Sequence, residues 1–355
     1  MKKPLLITYE YPPDFGGIGK YLEQEVAFLK GQVKIVKAQD YEMFFWPKWL
    51  PLVWGVYVYF TKPKPSPNPS LEGRGVYCDS IWVSHILPIG YIVLIYKKLF
   101  KIPYRVYLHG LDLVRPKKSK WKTFWVKKIL NNADEIICNS NATSKLLEFY
   151  NIKINPSVVM KGLKVRYPSI QKVNPEDYKQ IGLDLRKKYN LENKKILLTI
   201  SRLVKRKGIN LVISALPDVW KQIPDLVYIV VGDGEEMSNL KALAHNQQNI
   251  IFTGAISDKE KYAWLYACDC FILTPIDDPN DFEGYGIVYK EAQMFNKPVI
   301  GSRVGGVSEA VGDSMPSEAL YSERRIGGGV LVEAGNIEEI SKAIIIKFSP
   351  SPRGS

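Results

Sequence analysis

The chain is poor in the residues that build metal and disulfide frameworks. It has three histidines and four cysteines in 355 residues, and only Cys268 and Cys270 lie close together, with no CxxC pair. A disulfide scaffold, a zinc ribbon and a His-rich metal centre are excluded on those numbers, and a reducing compartment fits. Long apolar runs are also missing. The longest, 43–60, carries Lys48 and two prolines, Pro47 and Pro51, and falls short of the ~20 apolar residues that a membrane span requires. Its aromatics Phe44, Phe45, Trp46 and Trp49 leave two readings open, an interfacial patch or a buried helix of the first domain. The start, Met1-Lys2-Lys3-Pro4, has no long apolar region and no small-residue cleavage site, so no signal peptide is expected.

What is present is basic charge, unevenly placed. Residues 1–190 hold 31 Lys+Arg against 15 Asp+Glu, whereas 191–355 hold 18 against 21. A basic half suits a polyanionic neighbour. Nucleic acid fits poorly, because no RNP motif, zinc knuckle or basic reading helix accompanies the charge. An anionic membrane surface or a phosphorylated substrate remains. The segment 115–128 holds seven basic residues, two tryptophans and no acid, a composition suited to docking on an anionic surface.

Short apolar runs alternate with helix-like stretches. Strands are expected at 5–9, 33–36, 81–84, 105–108, 135–138 and 157–160, then at 196–200, 227–231, 250–253, 270–274, 298–302 and 330–332. Helical periodicity fills the gaps between them, as at 19–30, 91–100, 121–131 and 142–150. The alternation predicts an α/β protein with two Rossmann-like domains, 1–163 and 194–347, joined by a polar linker at 164–193. In such parallel sheets ligands bind beyond the carboxyl ends of the strands. Residues 61–75 and 348–355 are Ser-Pro-rich and alike, 314–327 reads as a polar insert, and the two Ser-Pro segments read as copies of one mobile repeat.

Four motifs carry chemistry. Phe282-Glu283-Gly284-Tyr285-Gly286-Ile287 leads into a helix bearing Glu291. Free amides and the positive helix end at Gly284–Ile287 make an anion site, flanked by two carboxylates. Arg202 and Lys207 bracket a loop after the strand 196–200, where paired cations suit a diphosphate, while Lys205 and Arg206 are expected to face solvent. Gly16 and Gly17 follow the first strand and permit close backbone approach to a ligand. His109 closes the strand 105–108.

Together these residues resemble the retaining glycosyltransferases of family 4, which have the GT-B fold: two Rossmann-like domains with parallel sheets facing a central cleft. The resemblance implies a donor nucleoside-diphosphate sugar, UDP- or GDP-linked, with a glycan or lipid-linked acceptor. Glu283 then contacts donor-sugar hydroxyls, and Glu291 holds the ribose. Arg202 and Lys207 grip the diphosphate with Gly284, Tyr285, Gly286 and Ile287. Gly16 and Gly17 close over the donor, and His109 stands beside the reacting sugar. The turn 231–234 and Thr253-Gly254 match further positions near the base. No Asp-x-Asp motif stands in a convincing place, so no metal and no cofactor are expected. Retention implies front-face attack or a double displacement, and the lack of a clear carboxylate nucleophile favours the former. A cytoplasmic enzyme, peripheral on the inner membrane face, follows from that reading. The chain departs from the family pattern at Met160-Lys161-Gly162-Leu163-Lys164 and ends short of the family's last helix. A truncated, inactive sugar-nucleotide-binding remnant, or a GT-B epimerase, is therefore the alternative.

Overall fold

The computed structural model describes residues 4–12, 17–27, 32–41, 49–60, 78–152, 163–245, 247, 249–312 and 329–349. The chain divides into two compact units, Met1–Ser169 and Ile170–Ser355. Each is built on one six-stranded parallel sheet.

In the first unit the strands are β1 (Pro4–Thr8), β2 (Lys34–Lys37), β3 (Ser80–Ser84), β4 (Tyr104–Leu108), β5 (Glu135–Cys138) and β6 (Leu163–Val165), in the order β2-β1-β3-β4-β5-β6. The helices are α1 (Gly17–Ala27), α2 (Leu50–Tyr57), α3 (Ile86–Phe100), α4 (Leu111–Val114), α5 (Lys120–Asn132) and α6 (Asn141–Lys145). Apolar residues sit on both faces of the inner strands because helices cover both. Leu5, Leu6 and Ile7 are all fully buried. Their order puts the topological switch between β1 and β3, so the loops leaving these strands open a crevice at their carboxyl ends.

The second unit repeats the plan with β7 (Lys195–Ile200), β8 (Leu226–Val231), β9 (Ile250–Gly254), β10 (Cys270–Ile272), β11 (Val299–Ser302) and β12 (Gly329–Val332), ordered β12-β11-β10-β7-β8-β9. Here the switch lies between β7 and β10. The helices are α7 (Lys179–Lys188), α8 (Ile209–Trp220), α9 (Met237–Leu243), α10 (Asp258–Ala267), α11 (Ile287–Met294), α12 (Val307–Val311) and α13 (Ile337–Phe348).

Three sequence expectations need correction. Residues 164–193 are not a strandless linker: Lys164 and Val165 pair with Ile137 and Cys138 in the first sheet. Further on, α7 packs against α10 in the second unit. The helix expected over 142–150 is the short α6 followed by a 3-10 turn, Leu146–Tyr150. In the apolar stretch 43–60, Pro51 does not break a helix but starts one, in the first turn of α2, where its missing N–H has no intrahelical acceptor to lose. Leu52 and Val56 are buried, as the buried-helix reading of that stretch expects, while Trp54 is 74% exposed. Expectations on 61–75, 157–160, 314–327 and 350–355 lie outside the described residues, as do Phe44, Phe45 and Trp46. Among the described residues no helix is long and apolar enough to cross a membrane.

Candidate functional site

In the second unit the loops after β7 and β10 flank the switch point, and both carry charge. The first runs from Ser201 through a 3-10 turn, Lys205–Lys207, to Gly208 at the head of α8. Its path is fixed by backbone bonds to the turn after β8: Ser201 N–H donates to Val231 O (3.0 Å) and Leu203 N–H to Asp233 O (2.8 Å). Gly208 adopts a left-handed φ of 65°, and a Cβ there would overlap the Thr274 carbonyl oxygen. Only glycine lets the two loops approach so closely.

The second loop carries Glu283. Its carbonyl accepts from Gly306 N–H (2.9 Å), and a Cβ on Gly305 or Gly306 would strike the backbone of Glu283 or Gly284. Arg206 Nη1 and Lys207 Nζ (2.6 Å) both donate to Glu283 Oε2. Arg206 Nε also lies 2.8 Å from Asp281 Oδ2. Burial alone would raise the Glu283 carboxyl, but the ammonium of Lys207 and the guanidinium of Arg206 outweigh it and hold the pKa below the usual range. Burial lowers the Lys207 pKa, aided by the charges of Arg206 and Arg202, while Glu283 opposes the shift. Arg202 itself is exposed.

The expectation that Arg206 faces solvent is therefore wrong. It is 6% exposed and shares the Glu283 carboxylate with Lys207. Lys205 is exposed as expected. Arg206 was overlooked because a run Lys205-Arg206-Lys207 reads as one solvated patch, whereas the 3-10 turn sends its members different ways. Asp281, Gly305 and Gly306 were missed too. The signal for the glycines was available: a Gly-Gly pair just after the strand 298–302.

Glu291 lies in the second turn of α11 and is bonded to Lys261 Nζ on α10 (2.5 Å). The Lys261 ammonium also sits over the Tyr262 ring, 4.3 Å from its centroid. Gly286 caps α11 in a left-handed conformation. The N–H groups of Gly286 and Ile287 have no acceptor among the described residues, as first-turn amides of a helix do not. Tyr285 is buried. Arg206, Lys207 and Glu283 thus converge, whereas Glu291 is engaged by a different lysine.

In the first unit His109 lies at the carboxyl end of β4, 8% exposed. Its Nε2 is 3.0 Å from Ser84 Oγ at the end of β3, and the Tyr21 ring meets it edge-on at 5.5 Å. Asp112 accepts from the backbone N–H groups of His109 (3.2 Å) and Gly110 (3.0 Å). His85, with a left-handed φ of 71°, stands beside His109, ring centroids 6.4 Å apart, and 3.8 Å from Glu10. Burial, reinforced by His85, lowers the His109 pKa to about 3, and burial raises Asp112 to about 6. Ser84, His85, Glu10 and Asp112 had no motif to mark them. Gly17 opens α1 with nothing close to it; Gly16 lies outside the described residues.

Residues 183–348 match the model of the family "Glycosyl transferases group 1". The chain is 28% identical over 258 residues to the alpha-monoglucosyldiacylglycerol synthase of Streptococcus pneumoniae, covering 71% of this chain and 55% of that protein. It is 24% identical over 365 residues to a GDP-mannose-dependent alpha-(1-6)-phosphatidylinositol monomannoside mannosyltransferase of Mycolicibacterium smegmatis, covering 96% and 87%. Among solved structures, Anabaena HepE in complex with UDP and glucose superposes with a TM-score of 0.67 at 20% identity, over 97% of this chain and 89% of that one. Sucrose-phosphate synthase from Thermosynechococcus elongatus gives 0.68 at 19%, with the same coverage. Both sheets and these likenesses make the fold α/β of the GT-B class.

Proposed function

We propose that the chain is a retaining, metal-independent glycosyltransferase that moves a hexose from a UDP- or GDP-linked donor to a hydroxyl of a lipid-linked or glycan acceptor. The observation that carries this reading is the shared clamp of Arg206 and Lys207 on Glu283 Oε2, with exposed Arg202 nearby and the unsatisfied amides of Gly286 and Ile287 on the adjoining helix end. Glycolipid-making relatives support the acceptor class, and the solved complex of HepE with UDP and glucose supports the donor class.

Each group then has a task. Glu283 Oε2 is held by two cations, which leaves Oε1 to accept a donor-sugar hydroxyl. Lys207, Arg202 and the Gly286 and Ile287 amides stabilise the charge that grows on the departing nucleoside diphosphate, the kind of fixed electrostatics that often dominates catalysis. Cations and amides so placed supply what a metal ion would. Glu291, steadied by Lys261, receives the ribose. Tyr285 and Gly284 shape the same loop, and Gly17 opens α1. His109 is held neutral by its burial. Attack from the leaving-group face gives retention. The basic first unit and the 115–128 segment suit an enzyme working at the cytoplasmic face of a membrane.

The test is release of nucleoside diphosphate from UDP- and GDP-hexoses, with and without diacylglycerol or phosphatidylinositol acceptors. Arg202→Ala and Lys207→Ala should each lower turnover at least tenfold, equivalent to about 1.4 kcal/mol of transition-state stabilisation. Wild-type rates in both variants would refute the assignment. Donor hydrolysis unchanged by any acceptor would point instead to an enzyme without transfer.

A further inference from the structure

A groove of about 740 Å³ lies in the first unit, beside α3 and α5 and away from the carboxyl-end residues described above. It falls within the about 300–1,000 Å³ usual for sites that hold a small molecule. One wall is a continuous row of rings: Trp49 against Tyr91 (5.4 Å between centroids), Tyr91 against Trp125 (5.3 Å), Trp125 against Trp121 (5.5 Å). Leu94 and Ile95 complete the apolar lining. The helices touch tightly at one point, where a Cβ on Gly90 would overlap the Ile129 side chain.

The rim is wholly cationic: Lys97, Lys98, Lys101 and Lys128 line it, and no acidic residue does. Lys97 is engaged by Asp134, at 2.6 Å and 2.5 Å from its two oxygens. Lys98, Lys101 and Lys128 have no carboxylate partner among the described residues. Around the groove, large apolar side chains point to solvent. Leu99 and Trp121 are each 64% exposed, and Phe124 is 55% exposed. An exposed apolar patch of this kind marks an interaction surface. Tryptophans mixed with lysines are the composition of a lipid-water boundary. An apolar trough whose free charges are all positive fits an amphiphile with a long hydrocarbon tail and an anionic head.

We propose that this groove holds one acyl chain of an anionic phospholipid, with its phosphate on Lys98, Lys101 and Lys128. The inference goes beyond the transfer reaction: its residues all lie within 49–132 and none belongs to the donor clamp. It also differs from adsorption on a charged surface, because it requires uptake of a single lipid.

The distinguishing probe is a monomeric lipid below its micelle concentration. Tetradecanoyl lysophosphatidylglycerol, titrated calorimetrically into the full chain, should bind saturably at one molecule per chain. The phosphocholine lipid of equal tail length should bind at least tenfold more weakly. The double variant Lys98→Glu/Lys101→Glu replaces exposed residues and should erase the headgroup preference with an unchanged melting temperature. Trp121→Ala should weaken both lipids. The proposal is overturned if no monomer is taken up while vesicles still sediment the protein. It is equally overturned if both headgroups bind alike, or if the groove is filled by a second copy, seen as a dimer that the lipid does not dissociate.

Discussion

At the scale of single residues, two of the places where ionisable groups are buried have a measurable effect on pH dependence or stability. Folded His109 takes a proton only near pH 3, whereas an unfolded histidine does so near its ordinary value of 6.5. Its stabilising contribution is complete above pH 6.5 and is lost as pH falls toward 3. Asp112 acts in the opposite sense. Raised to about 6 from the ordinary 3.8, its contribution is complete below 3.8 and is lost as pH rises through 6. The histidine shift is the larger, so the acid limb follows it. His109→Asn should flatten the fall in the urea midpoint between pH 6.5 and 4; an equally steep fall would show that His109 is solvated. Arg206 is the second place. Truncating one partner of a buried ion pair costs about 3–5 kcal/mol when it strands a charge. Arg206→Met should sit at the low end, near 3 kcal/mol by chemical denaturation, because Lys207 remains on Glu283. At this scale the sequence revealed Glu283, Lys207 and His109, whose neighbours in the chain mark them. It hid Arg206 and Ser84, because their partners are 77 and 25 residues distant.

At the scale of elements, the strands were legible except at one edge, β6. Central strands such as β7 and β8 are apolar on both faces, so their sequences need no periodicity to be recognised. β6 was missed because it is a three-residue edge strand with no fully buried residue, tied in partly by the Lys164 to Glu135 ion pair (2.6 Å). The loops after β7 and β10 depend on small residues for their closeness. Gly208→Ala combines a disfavoured φ with overlap on the Thr274 carbonyl oxygen, a strain that exceeds the ~1 kcal/mol scale of ordinary Gly-to-Ala effects. We expect about 2 kcal/mol or more of lost stability and a parallel loss of nucleoside-diphosphate affinity in a thermal-shift titration. A variant as stable as the parent would mean that the loops are held apart.

At the scale of the whole molecule, charge divides with the fold. Met1–Ser169 carries 26 Lys+Arg against 12 Asp+Glu, and Ile170–Ser355 carries 23 against 24. The asymmetry is legible in the sequence, whereas the boundary at Ser169 is blurred because the polar stretch from 164 begins before the first sheet ends at Val165. Adsorption to anionic vesicles should therefore be strong at low salt and fade as the Debye length shrinks from about 10 Å at 0.1 M to about 3 Å at 1 M. Sedimentation with phosphatidylglycerol and phosphatidylcholine vesicles measures it, and indifference to both lipid and salt would leave the positive half without an electrostatic partner.

The convergence of Arg206 and Lys207 on one Glu283 oxygen has a consequence for which anions can settle there. Arg206 and Lys207 face Glu283 and Asp281, two positive groups against two negative, with the charge of exposed Arg202 felt at Lys207, so the resting clamp is nearly neutral. Chloride or acetate would find little net attraction. A species with several negative charges could draw the lysine and Arg202 together at once, and the same near-balance would let it depart afterwards without leaving a highly charged hollow behind.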